Sequence, residues 1–403
     1  MTDNRVLDIN EDVKWIGVLD RDIVTFDVVM ETKYGTTYNS FFIDAEKKTI
    51  VDTSKEKFWD VYLDKIKQVT DPAEIEYIIV NHTEPDHSGN LRKLLEIAPK
   101  ATVVGSGNAI RYLKDLMMPD FPHMIVKDGN TLDLGNKTLR FMSAPNLHWP
   151  DTIYTYLIED RILFTCDSFG CHYCHEEMYD NRVGDFNEAF DYYFRVILRP
   201  FSKFMLKAID KIRPLEIDMI LPGHGPLLMT RWQEYVDKSE KYAREYLNTP
   251  EKRRVFIPFV SAYHKTGALA EKIAEGVRAA GDIDVEVCDI EHTSLGDLDM
   301  KMTQCSAVIV GCPTINQNIL LPIYKLFSVI SPLRDKGKLA GGFGSYGWSG
   351  EGKTLIGESL KNLKLNYMDE GVFVKFSPDN EDHELAFEYG TKFGKEILAE
   401  DQG

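Results

Sequence analysis

Four histidines and three acids stand where apolar, strand-like runs break into polar loops, and this arrangement restricts the first 250 residues to folds that gather strand ends along one rim. The densest stretch, HTEPDH, closes the run EIEYIIVNH and supplies His82, Glu84, Asp86 and His87. His148 lies in NLHWPD, Asp167 in FTCD and His224 in LPGHGP. A single histidine at a strand end is ordinarily a hydrogen-bonded structural residue. Four of them with three carboxylates point to a metal site, and a sheet sandwich brings such loops together as a dinuclear site requires. The earlier pieces VKWIGVLD, IVTFDVVM, TTYNSFFID and KTIVDT alternate β-branched and aromatic residues between turns, which predicts hairpins. Helical segments such as SGNLRKLLEIAP separate some of the later strands, so an α+β sandwich is expected.

The pattern changes near residues 247–254. There the amphipathic stretch TRWQEYVDKSEKYAREYL ends at NTPEKRR, before the strand-like VFIPFV. This divides the chain into 1–250 and 251–403. In the second part RVFIPFVSAY, DVEVCDI, SAVIVGCP, KLAGGFGSY and GVFVKF alternate with helical segments, which predicts a doubly wound parallel α/β sheet. One helix carries Leu269, Ile273, Val277 and Ala280 on a single face, and the last carries Leu385, Tyr389, Phe393 and Ile397.

Ligands of such sheets bind beyond the carboxyl ends of the strands. SAYHKTGAL offers the hydroxyls of Ser261, Tyr263 and Thr266, the side chain of Lys265, and Gly267 for close backbone approach to a phosphate at a helix start. CPTINQN (Pro313, Thr314, Asn316) and GSYGWSGEG (Ser345, Tyr346, Gly347, Trp348, Gly350) end the third and fourth strands. Three such loops suit a flavin mononucleotide, FMN. The spacing is not that of a nucleoside-triphosphate loop. Gly342, Gly344 and Gly347, with Asp369 beyond them, spell a dinucleotide fingerprint, but that motif belongs after the first strand of its unit.

Charge and hydropathy narrow the partners. Forty-seven Lys and Arg against 64 Asp and Glu give a net charge of -17 in 403 residues. Such a surface disfavours nucleic acid and anionic membranes. No run approaches the length of a membrane span, and the start of the chain has no apolar signal core, so a cytoplasmic protein is expected. The six cysteines follow no secreted disulfide spacing. CHYCH (Cys171 to His175) has the pattern of covalent haem attachment, which requires export; a local zinc or redox pair, or free thiols in a loop, are the other readings.

The metal-donor arrangement resembles the metallo-β-lactamase fold, an αββα sandwich whose hydrolases carry a histidine where this chain has Glu84. A carboxylate there hardens the site and shifts preference from zinc toward iron or manganese. Taken with the flavodoxin-like second half, the motifs GTTYNSFFID, HTEPDH, LHWPDTIYTY, LPGHGP, SAYHKTG, GCPTINQN and FGSYGWSGEG resemble those of the flavodiiron proteins, or A-type flavoproteins. The resemblance implies two iron ions: one held by His82, Glu84 and His148, the other by Asp86 and His224, with Asp167 as the bridge and His87 beyond the ligand set. It implies reduction of dioxygen to water, of nitric oxide to nitrous oxide, or both. It further implies an external electron donor such as rubredoxin or a reduced deazaflavin, and a head-to-tail homodimer or dimer of dimers. No donor module is appended, so electrons are expected from another molecule. His172, in the cysteine-rich SFGCHYCHEE, is a candidate donor of a proton or hydrogen bond near the pocket, the other reading being an exposed loop histidine, and Tyr193, with Tyr192 beside it, is a candidate to stand behind the ligands. Two other readings are a hydrolase with an accessory flavodoxin-like half and a non-catalytic redox carrier or sensor.

Overall fold

Along the strand Tyr77–Val80, Ile78 and Val80 enter one apolar cluster while Ile79 enters another. The neighbouring Val103 and Val104 divide in the same way, as do Phe42 and Phe41. Such a sheet is covered on both faces, and the period of two in the sequence is its cause. In the computed structural model, which describes residues 3–26, 30–117, 120–248, 253–332, 334–369 and 371–399, the chain forms two compact units. One comprises Met1–Phe26 and Thr32–Asn248, the other Asp27–Glu31 and Thr249–Gly403. The expected boundary at 250/251 lies outside the described residues.

The first unit holds a seven-stranded sheet that begins as an antiparallel meander. It continues in parallel through Thr49–Val51, Tyr77–Val80, Thr102–Gly105 and His123–Ile125. A five-stranded sheet runs from Thr131–Asp133 through Thr138–Ser143, Ile153–Leu157 and Ile162–Cys166 to Met219–Pro222. Trp15, Phe41, Val51 and Ile79 of the first sheet meet Leu139, Phe141, Leu157 and Phe164 of the second in one buried cluster. Outside the larger sheet, Tyr62 and Ile66 of the helix Trp59–Val69, and Ile110 and Leu113 of Gly107–Met117, fill the opposite cluster. The helix Ser202–Ile212 is tied to the smaller sheet by Lys211, whose Nζ donates to the Ser143 carbonyl at 2.7 Å. The result is the expected sandwich of two sheets with helices outside.

The second unit is a parallel sheet in the order Asp284–Asp289, Arg254–Phe259, Ala307–Gly311, Leu339–Tyr346. The last of these pairs with both Asn366–Tyr367 and Val372–Lys375. The two-residue strand at 366 is absent from the sequence reading because it is too short to form an apolar run. Leu269, Ile273 and Val277 are buried as expected, and so are Tyr389, Phe393 and Ile397. Leu385 departs from its predicted face: it is 50% exposed and lines an open groove against the edge strand Val372–Lys375, because the apolar stripe of the last helix outruns the sheet that covers it. Among the described residues, no helix is long and apolar enough to cross a membrane.

Candidate functional site

The metal-donor residues converge at the loop end of the sandwich, nearly all of them fully buried. His82, Glu84, His148 and Asp167 form one group of potential donors and Asp86, His87 and His224 another, with the donor atoms in each group within 4.8 Å of one another. His148 Nε2 lies 3.1 Å from Glu84 Oε2, and both His82 and His148 approach Asp167 Oδ2, at 3.6 and 3.3 Å. The other carboxylate oxygen, Asp167 Oδ1, faces His87 Nε2 at 2.9 Å and His224 Nε2 at 3.4 Å. Asp167 therefore presents one oxygen to each group. His87, expected beyond the ligand set, has its Nε2 in the donor cluster, 3.5 Å from Asp86 Oδ2.

Hydrogen bonds behind the rings decide which nitrogen faces the centre. Nδ1 of His224 donates to the Thr37 carbonyl at 2.6 Å, and Nδ1 of His82 to Asp151 Oδ2 at 3.2 Å, so both rings aim Nε2 inward. Asp151 is fixed in turn by the Thr83 amide and hydroxyl, at 2.7 and 2.8 Å. The TTYNS strand carries the loop around His224: Thr37 Oγ1 accepts from the Gly225 amide, and Asn39 Nδ2 donates to the Pro222 and Gly225 carbonyls. Gly225 has a φ of 77°, and a Cβ there would lie 2.4 Å from the Cys171 carbonyl oxygen, so only glycine closes this turn.

The electrostatics fit cations. Both oxygens of Asp86 and Oδ2 of Asp167 are buried and make no hydrogen bond, a costly state that a bound cation relieves. Burial disfavours the imidazolium of His82, yet Asp151 and Glu84 push its pKa up to about 10. Against the same burial, Asp167 and Glu84 push His148 up to about 10, and Asp86 and Asp167 push His87 up to about 9. Burial opposes the charge of Asp167 too, but His87 and His148 hold its carboxyl well below the usual range. The carboxylates around these rings thus favour positive charge within the cluster.

His172 packs on this cluster, its ring centroid 4.8 Å from that of His224 and 4.4 Å from that of Phe26. Nδ1 lies 2.8 Å from Thr36 Oγ1, and the buried Nε2 makes no hydrogen bond. Burial and the nearby His224 push its pKa well below the ordinary value, so the ring is neutral. Tyr193 is buried edge-on to His172 at 4.9 Å, and burial with the charges of Asp167 and Glu84 keeps its phenol protonated. Tyr192 is only half-buried. Cys171 is buried and Cys174 half-buried, and among the described residues neither joins a group of metal donors.

In the second unit the three glycine- and hydroxyl-bearing loops meet at the carboxyl edge of the sheet. Ser261 Oγ accepts from the Gly267 amide at 3.2 Å, and Thr266 Oγ1 lies 3.2 Å from Ser345 Oγ. The Thr314 amide donates to the Ser345 carbonyl, and Thr314 Oγ1 accepts from the Gly352 amide. Pro313, Thr314 and Asn316 follow Ala307–Gly311, and Asn316 takes a left-handed φ of 53°. Lys265 opens the helix Lys265–Ala280. Tyr263 is 80% exposed and Trp348 87%, whereas Tyr346 is half-buried against the Gly350 backbone and Gly347 approaches Phe376. Gly344 serves packing: a Cβ there would lie 2.1 Å from the Cys312 carbonyl oxygen. Asp369, the would-be dinucleotide acid, pairs instead with Lys361 at 2.7 Å.

The sequence matches known proteins across both units. A family model described as ODP family beta lactamase covers residues 36–225, and one described as flavodoxin covers residues 257–390. The flavo-diiron protein FprA2 of Clostridium acetobutylicum is 39% identical over 96% of this chain and 99% of its own length. The type A flavoprotein fprA of Rhodobacter capsulatus is 35% identical over 96% and 89%. The rubredoxin oxygen:oxidoreductase of Desulfovibrio gigas superposes with a TM-score of 0.74 at 27% identity, covering 99% of this chain and all of that one. The flavodiiron protein of Giardia intestinalis does so with a TM-score of 0.73 at 28% identity, covering 98% and 97%.

Proposed function

The chain belongs to the flavodiiron, or type A flavoprotein, family, and from that premise we propose an oxidoreductase that reduces dioxygen to water, nitric oxide to nitrous oxide, or both. The observation that carries this reading is Asp167, one of whose oxygens faces each donor group, as a carboxylate shared between two cations must. His82, Glu84 and His148 would hold one iron and Asp86 and His224 the other, with Asp167 offering a carboxylate oxygen toward each. When bound, the iron pair supplies open positions for a diatomic gas and the flavin passes it electrons singly. The neutral ring of His172, anchored at Nδ1 by Thr36, keeps Nε2 available for a hydrogen bond to the substrate, and the Tyr193 phenol beside it holds a proton.

Residues 1–250 carry the metal pair, and 251–403 carry FMN against Ser261, Tyr263, Lys265, Thr266, Gly267, Pro313, Thr314, Asn316, Ser345, Tyr346, Gly347, Trp348 and Gly350. An external donor, a rubredoxin or a reduced deazaflavin, delivers electrons in the cytoplasm. Two copies arranged head to tail, or a pair of such dimers, set each flavin against the other copy's iron pair. The hydrolase and carrier readings recede because the relatives match both units end to end and Glu84 stands where hydrolases place histidine. Anaerobic preparation with metal and flavin quantified, followed by electrode assays with each gas, tests the proposal. Two irons and one FMN per chain are expected; zinc alone, no flavin, or consumption of neither gas overturns it.

A further inference from the structure

The Cys166 thiol has no part in that reading, yet it lies inside the donor cluster. The strand Ile162–Cys166 shifts register against Met219–Pro222 between Phe164 and Cys166, and Cys166 itself takes a φ of 47°. Regular alternation sends the side chains at 166 and 167 to opposite faces; the irregularity leaves both near one buried cluster. Cys166 Sγ stands 3.9 Å from Asp167 Oδ1, the oxygen that His87 Nε2 approaches at 2.9 Å. Donor atoms of His87, Cys166 and Asp167 all lie within 4.8 Å of one another, and all three residues are buried. Gly223 admits this grouping, since a Cβ there would meet His87 Cε1 at 2.7 Å and Cys166 Sγ at 3.2 Å.

The dimensions suit a tetrahedral ion. Bonds of about 2.3 Å to sulfur and about 2.0 Å to nitrogen or oxygen place neighbouring donors about 3.3–3.6 Å apart, and the distances of 2.9 and 3.9 Å bracket that range. Asp86 offers a fourth donor: its carboxylate oxygens are buried without hydrogen bonds, and Oδ2 lies 3.5 Å from His87 Nε2.

We propose that His87, Cys166 and Asp167 form a subsite for a soft divalent cation, zinc or cadmium, that adds His87 and Cys166 to the donors assigned to iron and overlaps them at Asp167. Thiolate selects soft metals, whereas the oxygen-rich set around Glu84 suits iron. Both sets draw on Asp167 Oδ1, which His224 Nε2 also faces. A soft cation at Cys166 and an ion at Asp86 and His224 therefore exclude each other, and excess zinc displaces one iron of the pair. The subsite stands on these residues alone and does not depend on which gas the protein reduces.

X-ray absorption at the zinc edge tests this on the full-length, FMN-containing chain, freed of iron and given two equivalents of zinc. The expected spectrum contains a sulfur shell at about 2.3 Å amounting to one sulfur shared between two zinc ions. Cys166→Ser removes that shell while zinc at His82, Glu84 and His148 remains, and the double variant Cys171→Ser/Cys174→Ser keeps it. His87→Gln leaves the thiol in place and weakens the shell, which keeps the test open should Cys166→Ser fail to fold. A wild-type spectrum with nitrogen and oxygen only overturns the subsite, and so does a sulfur shell that survives Cys166→Ser or is undiminished in His87→Gln.

Discussion

Asp151 shows how much of the metal chemistry is settled one layer behind the donors. Its Oδ2 accepts from His82 Nδ1 and from the amide and hydroxyl of Thr83, so it fixes both the tautomer and the angle of the ring. Asp151→Asn keeps the shape and removes the charge. Iron held by the His82 group is expected to bind about 10- to 100-fold more weakly, read from iron retained during a chelator titration; unchanged retention would sink the idea. The donors themselves stand out in sequence because histidines and acids at strand ends are conspicuous. Asp151 and Thr37 do not, since they serve residues 69 and 187 positions away, a relation no local pattern carries. The same cluster binds protons in competition with metal. His82 and His148 are pushed up to about 10 and His87 to about 9 without metal, so at neutral pH these rings are protonated. A cation must expel the protons on Nε2, so affinity rises with pH and falls with acid. Calorimetry in buffers of different ionisation enthalpy should find about two protons released per chain on loading near pH 7, one each from the ligands His82 and His148, His87 lying outside the ligand set; none released would contradict this competition.

At the scale of elements, the flavin unit depends on how closely two helices approach. A Cβ on Gly276 would lie 2.0 Å from the Phe387 carbonyl oxygen, and one on Gly390 would lie 2.1 Å from that of Ile273. The helices Lys265–Ala280 and Asn380–Ala399 therefore touch backbone to backbone, and the first of them begins at the proposed phosphate loop. Gly390→Ala is expected to cost about 1–3 kcal/mol by overpacking and to lower both the melting temperature of this unit and FMN retention. Metal content should be unchanged, because the donors belong to the other unit. Equal stability in calorimetry would show that the helices can part. Apolar periodicity discloses which faces of these helices are buried, at Ile273 and Phe393 for example. It is blind to the glycine contact and misplaces Leu385, because hydropathy records a stripe and not where its partner ends.

At the scale of the whole molecule, two expectations concern how electrons reach the metal. If each flavin serves the metal pair of a second copy, an obligate monomer made by interface substitution keeps two irons and one FMN but loses turnover; full activity in a verified monomer would refute the arrangement. The second expectation follows from charge. With 47 basic against 64 acidic side chains, the net charge of -17 repels an acidic donor protein at long range. Salt shortens that range, the screening length being about 10 Å at 0.1 M. The second-order rate of FMN reduction by an acidic rubredoxin is therefore expected to rise as ionic strength increases from about 0.02 to 0.2 M, whereas an uncharged small reductant shows no trend. Stopped-flow bleaching of the flavin measures both. A rate that falls with salt would mean that a local basic surface outweighs the overall charge in guiding the donor to the flavin.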